Sequence, residues 1–338
     1  MLFSKTISVA VAISLATIAL VQVQASPLRI PDGPIVARSL DDLAAEAAEA
    51  AADPDFVAYI PHSERTYTAE QMAEHEAWLK RSSSGINDWE CVPTAAHPRP
   101  VVLVHGLIAN KDNNWLYMGP RLQEAGYCVY SFTYGSLPNI PYLAGLDKIE
   151  NSAAQLSAFV DKVLAATKVP KVDIVGHSQG TLMPRYYLKF LGGAAKVSKI
   201  AGFGSIAYGT TLLNIAPFLT SLGLYDVIKK VIDPVCMSCF QFLENSAFLQ
   251  NLNAGGDTVP GVQYQFIASK FDEVVTPYTN GFLRDNNPLV KNVVLQDLCP
   301  LDLSEHALQM LDPIVFRKID AFLTPAATQK VDCLSAFT

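Results

Sequence analysis

The chain has 338 residues, half of them hydrophobic and 17% charged, with a formal net charge of -7. That much apolar material builds a sizeable core, and the acidic balance excludes the basic surface a nucleic-acid partner needs. A globular protein is implied, acting on something other than nucleic acid.

Taken from the start, Lys5 precedes an apolar run from Ile7 to Val21, and Val23-Gln24-Ala25 offers the small residues of a signal-peptidase site. Residues 1–25 therefore read as a cleaved secretory signal. The run is short of the ~20 residues that cross a bilayer, against the alternative of an anchor, and no later segment reads as a membrane span. Ser39 to Asp53, SLDDLAAEAAEAAAD, is an acidic alanine-rich stretch with Ser39 as its N-cap, the pattern of a surface helix. Downstream, Lys80-Arg81 sits before a polar Ser-rich loop, an accessible place for a processing protease. On that basis residues 26–81 are expected to form a prosegment and residues 82–338 the folded domain; the plainer alternative is a solvated Lys-Arg pair.

Six cysteines, Cys91, Cys128, Cys236, Cys239, Cys299 and Cys333, are an even number, natural for disulfides in an oxidising compartment. Spacing does not fix the connectivity. The pairing adopted is sequential: 91 with 128, 236 with 239, 299 with 333. Cys236-Met-Ser-Cys239 also has the spacing of a redox or zinc pair, but no second His/Cys pair with metal spacing accompanies it, so a local staple is preferred.

From residue 99 onward short apolar runs alternate with helical patterns. Strands are expected at Val101–Val104, Cys128–Thr133, Val172–Val175, Ile200–Ile206, Val262–Ala268 and Asn292–Leu295. Leu156, Phe159, Val160 and Val163 mark one helix; others are expected from Gln179 to Leu191 and from Ile314 to Phe322. The alternation implies an α/β fold, a mostly parallel sheet with helices on both faces. Residues 208–260 break the rhythm: they are too apolar for a solvated loop and read as helices capping the carboxyl edge of the strands, where ligands bind in such folds. The alternative is an extra pair of core helices.

Val172 to Val175 runs into Gly176-His177-Ser178-Gln179-Gly180 and then a helix. The pentapeptide Gly-x-Ser-x-Gly arises by chance in about one chain of this length in ten, but the strand-to-helix context matches a nucleophile elbow. A serine hydroxyl needs a base, and the base a carboxylate, in the chain order Ser, Asp or Glu, His. His306 is the sole histidine after Ser178. Among seven intervening aspartates, Asp272 directly follows a strand; Glu273 and Asp302 are its competitors. Backbone N–H groups of Gln179, at a helix N-terminus, and of Leu107, in His105-Gly106-Leu107 after the first strand, are the candidate oxyanion donors. His105 and His177 are read as packing or hydrogen-bonding residues.

With these positions marked, the chain resembles the secreted class 2 triacylglycerol lipases of the α/β-hydrolase superfamily and, more distantly, the yeast lipase B type. The resemblance covers about residue 87 to the end and rests on NDWECVPTAAHPRPVVLVHGL, EAGYCVYSFTYG, GHSQG, FDEVVTPY and LQDLCPLDLSEH in order. It implies the nucleophile at Ser178, the acid at Asp272, the base at His306, oxyanion donors at Leu107 and Gln179, and cysteines corresponding to the 91–128 and 299–333 pairs. Three departures stand out, each expected to touch the pocket: Leu107 where threonine is frequent, Thr181 where a second glycine is frequent, and Tyr208-Gly209-Thr210 where His-Gly-Thr is common. The expectation is a secreted, monomeric serine ester hydrolase acting on lipid or ester substrate, with an oil-water interface as a place of action, and with no metal or organic cofactor. Triacylglycerol is the leading substrate. The alternatives are a carboxylesterase or cutinase-like enzyme of soluble esters, and an inactive hydrolase fold serving as a binding module.

Overall fold

The computed structural model describes residues 85–137, 143–211, 229–230, 232–324 and 331–334. The expected signal, prosegment, alanine-rich helix and Lys80-Arg81 site, and residues 212–228 of the insertion, lie outside the described residues.

Among the described residues six strands form one parallel sheet in the order β2-β1-β3-β4-β5-β6. In chain order the elements are β1 (Val101–Val104), α1 (Met118–Glu124), β2 (Val129–Ser131), α2 (Ile149–Thr167), β3 (Val172–His177), α3 (Gln179–Phe190) and β4 (Val197–Phe203). After the insertion's α4 (Ala247–Asn253) come β5 (Gln263–Ala268), β6 (Val290–Val294), α5 (Leu295–Leu298) and α6 (Pro313–Leu323). A strand alternates its side chains between faces, and β1 uses both. Val102 and Val104 join the core beneath α2, α3 and α4, whereas Val101 and Leu103 join the one beneath α1 and α6. All four are fully buried, the expected signature of a central strand in a sheet covered on both sides.

Strand ends differ from the sequence reading where the chain leaves the sheet for the site. β2 stops at Ser131 because the next residues are used otherwise: Tyr134 N–H donates to His105 Nε2 and Tyr134 O accepts from Gly145 N–H. β4 begins three residues earlier than expected and ends at Phe203, where Gly204 turns with φ +52. β6 likewise starts earlier, at Val290, and Leu295 already opens α5. α6 is set by Asp312, whose Oδ1 accepts from the N–H groups of Ile314 and Val315, with Pro313 in the first turn.

The strand order reverses at β1. Its neighbours are β2, the next strand in sequence, and β3, reached by a crossover through α2. The loops leaving the carboxyl ends of β1 and β3 therefore run to opposite sides of a crevice, the position where open α/β sheets bind ligands. Disulfides join Cys91 to Cys128, Cys236 to Cys239 and Cys299 to Cys333. The first ties the segment before β1 to the start of β2, and the last ties the end of α5 to the segment after α6.

Within the described part of the insertion, α4 packs as core. α4 is capped by Ser246, whose Oγ accepts from Leu249 N–H, and Phe248, Leu249 and Leu252 are buried in the first core. Thr210 bridges Leu243, anchoring the insertion's stem beside β4. Helices over the carboxyl edge were expected throughout residues 208–260. For α4 the driving force is instead the apolar face of α3, against which Tyr186 and Phe248 stack at 5.8 Å.

Candidate active site

Ser178 occupies the junction of β3 and α3 with φ 52 and ψ -121, outside the regions that ordinary residues favour. The turn is possible because its neighbours are stripped of side chains. A Cβ on Gly176 would lie 2.0 Å from Gly180 O, and one on Gly180 would lie 1.9 Å from Val104 O. Pro184 contributes too: lacking an N–H, it cannot engage Gly180 O in the helical ladder, leaving that carbonyl packed against Gly176. Ser178 N–H donates to Phe203 O at 3.1 Å, pinning the turn to β4. A serine at an N-cap usually spends its hydroxyl on the first turn of the helix. Here Ser178 makes no such bond, so its Oγ is free for other partners.

His306 and Asp272 are joined. His306 Nδ1 and Asp272 Oδ2 lie 2.8 Å apart, on loops after β6 and β5 that sequence separates by 34 residues. Both side chains are almost wholly buried. The other carboxylate oxygen, Asp272 Oδ1, accepts from the N–H groups of Val274 and Val275, which fixes its orientation. Gln309 Nε2 reaches Asp272 Oδ2 at 3.4 Å, and Gln309 Oε1 accepts from Gly204 N–H at 3.0 Å. Glu273 does not reach the ring; its Oε2 accepts from His306 N–H at 3.3 Å. Asp302 is turned to its own loop and accepts from Ser304 N–H. A Cβ on Gly204 would stand 3.0 Å from His306 Cε1, so glycine there leaves room for the imidazole.

Electrostatics follow this packing. Burial by itself lowers the basicity of His306, but the Asp272 carboxylate and its hydrogen bond, helped by Glu273 and Glu305, outweigh it and raise its pKa above 6.5. His177 is pushed well below 6.5 by burial and by the neighbouring His306. His105 is lowered to about 4 by burial. Both are neutral at pH 7. His177 lies between Asn114 Oδ1 at 3.1 Å and His306 O at 3.3 Å, and a neutral ring donates to one of the two. His105 accepts at Nε2 from Tyr134 N–H, so its Nδ1 carries the proton and donates to Gly106 O. Neither is arranged as a base.

Leu107 follows the carboxyl end of β1, and Gln179 opens α3 after β3. As the first residue of α3, Gln179 has an N–H without a helical acceptor. Gly106 N–H donates to Asn114 Oδ1 at 3.0 Å and Ile108 N–H to Ala144 O at 2.8 Å, holding the loop on both sides of Leu107. Of the departures noted from sequence, Thr181 is fully buried behind the turn. Its hydroxyl donates to Ser178 O and accepts from Ile206 N–H, while its methyl occupies space that Gly202 leaves open. Tyr208 likewise turns inward, donating to Asp257 beneath the Arg284 guanidinium. Asn114, Gln309 and Gly145 fall in no motif of the sequence. Of these, Gln309 lies close to His306 in sequence, three residues on, in the 3-10 turn Leu308–Leu311.

Comparison with known proteins gives the family and the fold. The family model "Lipase (class 2)" matches residues 98–314, well over half the chain. Curated triacylglycerol lipases of Pseudarthrobacter phenanthrenivorans and Burkholderia plantarii are each 39% identical over 97 residues, 27% of this chain and 28% and 25% of theirs. The chain thus spans about a quarter of the length of those relatives. The crystal structure of Aspergillus fumigatus lipase B superposes with a TM-score of 0.50 at 20% identity, covering 64% of this chain and 50% of that one, a likeness of fold. The family match runs unbroken from before β1 to the start of α6, through every strand and every candidate catalytic position, so the chain belongs to the class 2 lipases and has their α/β-hydrolase fold.

Proposed function

We propose that the chain is a secreted serine hydrolase of carboxylic esters, with triacylglycerol as its leading substrate. The observation that carries the reading is the buried Asp272–His306 hydrogen bond at the carboxyl edge of the same sheet that holds Ser178 in a left-handed turn. Ser178 Oγ attacks the ester carbonyl carbon while His306 takes its proton, and Asp272 stabilises the resulting imidazolium. The oxyanion is received by the N–H groups of Leu107 and Gln179. Collapse expels the alcohol, protonated by His306, and leaves an acyl-Ser178; water, activated by the same base, releases the acid. Export is supported by the three disulfides and the leader-like residues 1–25. Residues 26–81 act as a prosegment, for which a mature N-terminus at Ser82 on secreted material is the check.

Triacylglycerol is favoured by the apolar insertion and by what the curated relatives are named for. The test has two arms. Ser178→Ala should abolish p-nitrophenyl ester turnover and fluorophosphonate labelling, and substantial residual turnover would refute the serine mechanism. Rate measured against triacylglycerol concentration across its solubility limit should rise abruptly when an emulsion forms. Smooth saturation below the limit would make the protein a soluble-ester esterase.

A further inference from the structure

Among the described residues of the insertion, Ser238 reaches the 144–146 segment, which packs against the loop carrying Leu107. Ser238 is fully buried and sits between Cys236 and Cys239, which are bonded to each other. Its Oγ donates to Gly145 O at 2.7 Å, and its N–H donates to Leu146 O at 3.2 Å. The Gly145 carbonyl also accepts from Gln179 Nε2 at 3.0 Å, so both of its lone pairs are engaged.

Gly145 is itself part of the crevice wall. It adopts φ +75, and a Cβ there would lie 3.3 Å from Leu107 Cα, 3.3 Å from Gly106 O and 3.1 Å from Gln179 Oε1. This strip of backbone thus packs directly against the backbone of Gly106 and Leu107 and the side chain of Gln179. Ala144 O holds Ile108 N–H, and Tyr134 O holds Gly145 N–H, from the inner side. On the outer side, Ser238 grips Gly145 and Leu146 together. The ring closed by Cys236 and Cys239 confines the turn and orients the hydroxyl before any substrate arrives.

The geometry points to Ser238 as a positioning residue for acyl transfer: it fixes the 144–146 wall and, through it, the N–H groups of Leu107 and Gln179. This rests on the ester-hydrolase reading above. Losing an oxyanion donor outright typically costs about 10²- to 10³-fold, and a misplacement of about 1 Å caused by a change outside the chemistry can cost about 10²-fold. Ser238 acts at one remove, and Gln179 Nε2 still holds Gly145 without it. The expected loss in kcat is therefore smaller, about 5- to 20-fold.

The test compares wild type, Ser238→Ala, Ser238→Thr and Ser246→Ala on a soluble p-nitrophenyl ester, with kcat expressed per serine titrated by a fluorophosphonate. Affinity for a boronic acid, which mimics the tetrahedral adduct, is measured beside it. Ser238→Ala should lower kcat by that factor and weaken boronate binding in proportion, with KM nearly unchanged; Ser238→Thr, which keeps a hydroxyl, should recover much of both. Ser246→Ala removes a helix cap on the same insertion and should leave kcat per active serine unaltered. Unchanged kcat and boronate affinity in Ser238→Ala, a loss confined to KM, or the same loss in Ser246→Ala would each overturn the inference. If Ser238→Ala is not recovered folded, the Cys236→Ala/Cys239→Ala variant, which keeps the hydroxyl but frees the turn, should show the same paired decrease, and no decrease would overturn it. A wild type that neither labels nor hydrolyses esters would instead refute the ester-hydrolase reading itself.

Discussion

At the scale of single residues, the chemistry hinges on which charges His306 meets. The Asp272 carboxylate has one oxygen committed to two backbone N–H groups and the other to the imidazole. A group so oriented holds the ring in the tautomer that leaves Nε2 free to accept a proton. It also keeps the His306 pKa above 6.5 in spite of burial. The proposed mechanism requires the neutral ring, so kcat/KM should fall as pH drops through that raised value, with the midpoint of the acid limb above 6.5. In Asp272→Asn, burial would act on the ring without the opposing carboxylate. The midpoint should then shift to lower pH, and kcat should drop on the order of 10⁴-fold, as it does where the acid of such a triad is neutralised. A pH–rate profile of the two proteins checks both; an unshifted limb would point to Glu273 or Glu305 as the dominant partner.

At the scale of elements, the turn between β3 and α3 is where close packing replaces side chains. Gly180 faces the backbone carbonyls of Val104 and His105, atoms at the end of the central strand that have no freedom to withdraw. Gly180→Ala should therefore cost more than about 4 kcal/mol, in the range reserved for severe core clashes, and yield little soluble protein. Gly192 is a suitable contrast. It too has positive φ, at +76, yet nothing lies within 4 Å of where its Cβ would be. Gly192→Ala should cost only the conformational strain, about 1–2 kcal/mol. Denaturant midpoints of the two variants separate steric exclusion from backbone strain.

At the scale of the whole molecule, a buried polar cluster ties α3, the helix that follows Ser178, to both ends of the insertion. Arg185, on α3 and fully buried, donates to Ala207 O, to Asn253 Oδ1 and to both the main-chain and side-chain oxygens of Asp257. Asp257 in turn receives Tyr208 Oη and the Arg284 N–H. Removing one partner leaves an uncompensated charge in the interior. Asp257→Ala should thus destabilise the fold by about 3–5 kcal/mol, whereas replacing both, as Arg185→Met with Asp257→Leu, should recover part of that loss. Urea unfolding of the single and double variants makes the comparison.

The strands, the strand-to-helix turn at Ser178 and the candidacy of Asp272 and His306 as a pair were legible in the sequence because each rests on local information. Apolar runs of strand length, glycines flanking a serine and the sole histidine downstream need no knowledge of what lies across the molecule. The same is true of the preference for Asp272 over Asp302, since its place directly after β5 is a local fact. Strand ends were less legible: β2 and β4 stop where Tyr134 and Gly204 are recruited by partners distant in sequence. So were Asn114, Gln309, Gly145 and Ser238, whose partners lie up to 105 residues away. The sequence alone determined which residues are the candidates for the proposed chemistry, since reactivity and turn geometry are properties of residue type and near neighbours. Only the tertiary structure decided what holds them in register, because a hydrogen bond between loops depends on the crossover that brings those loops together.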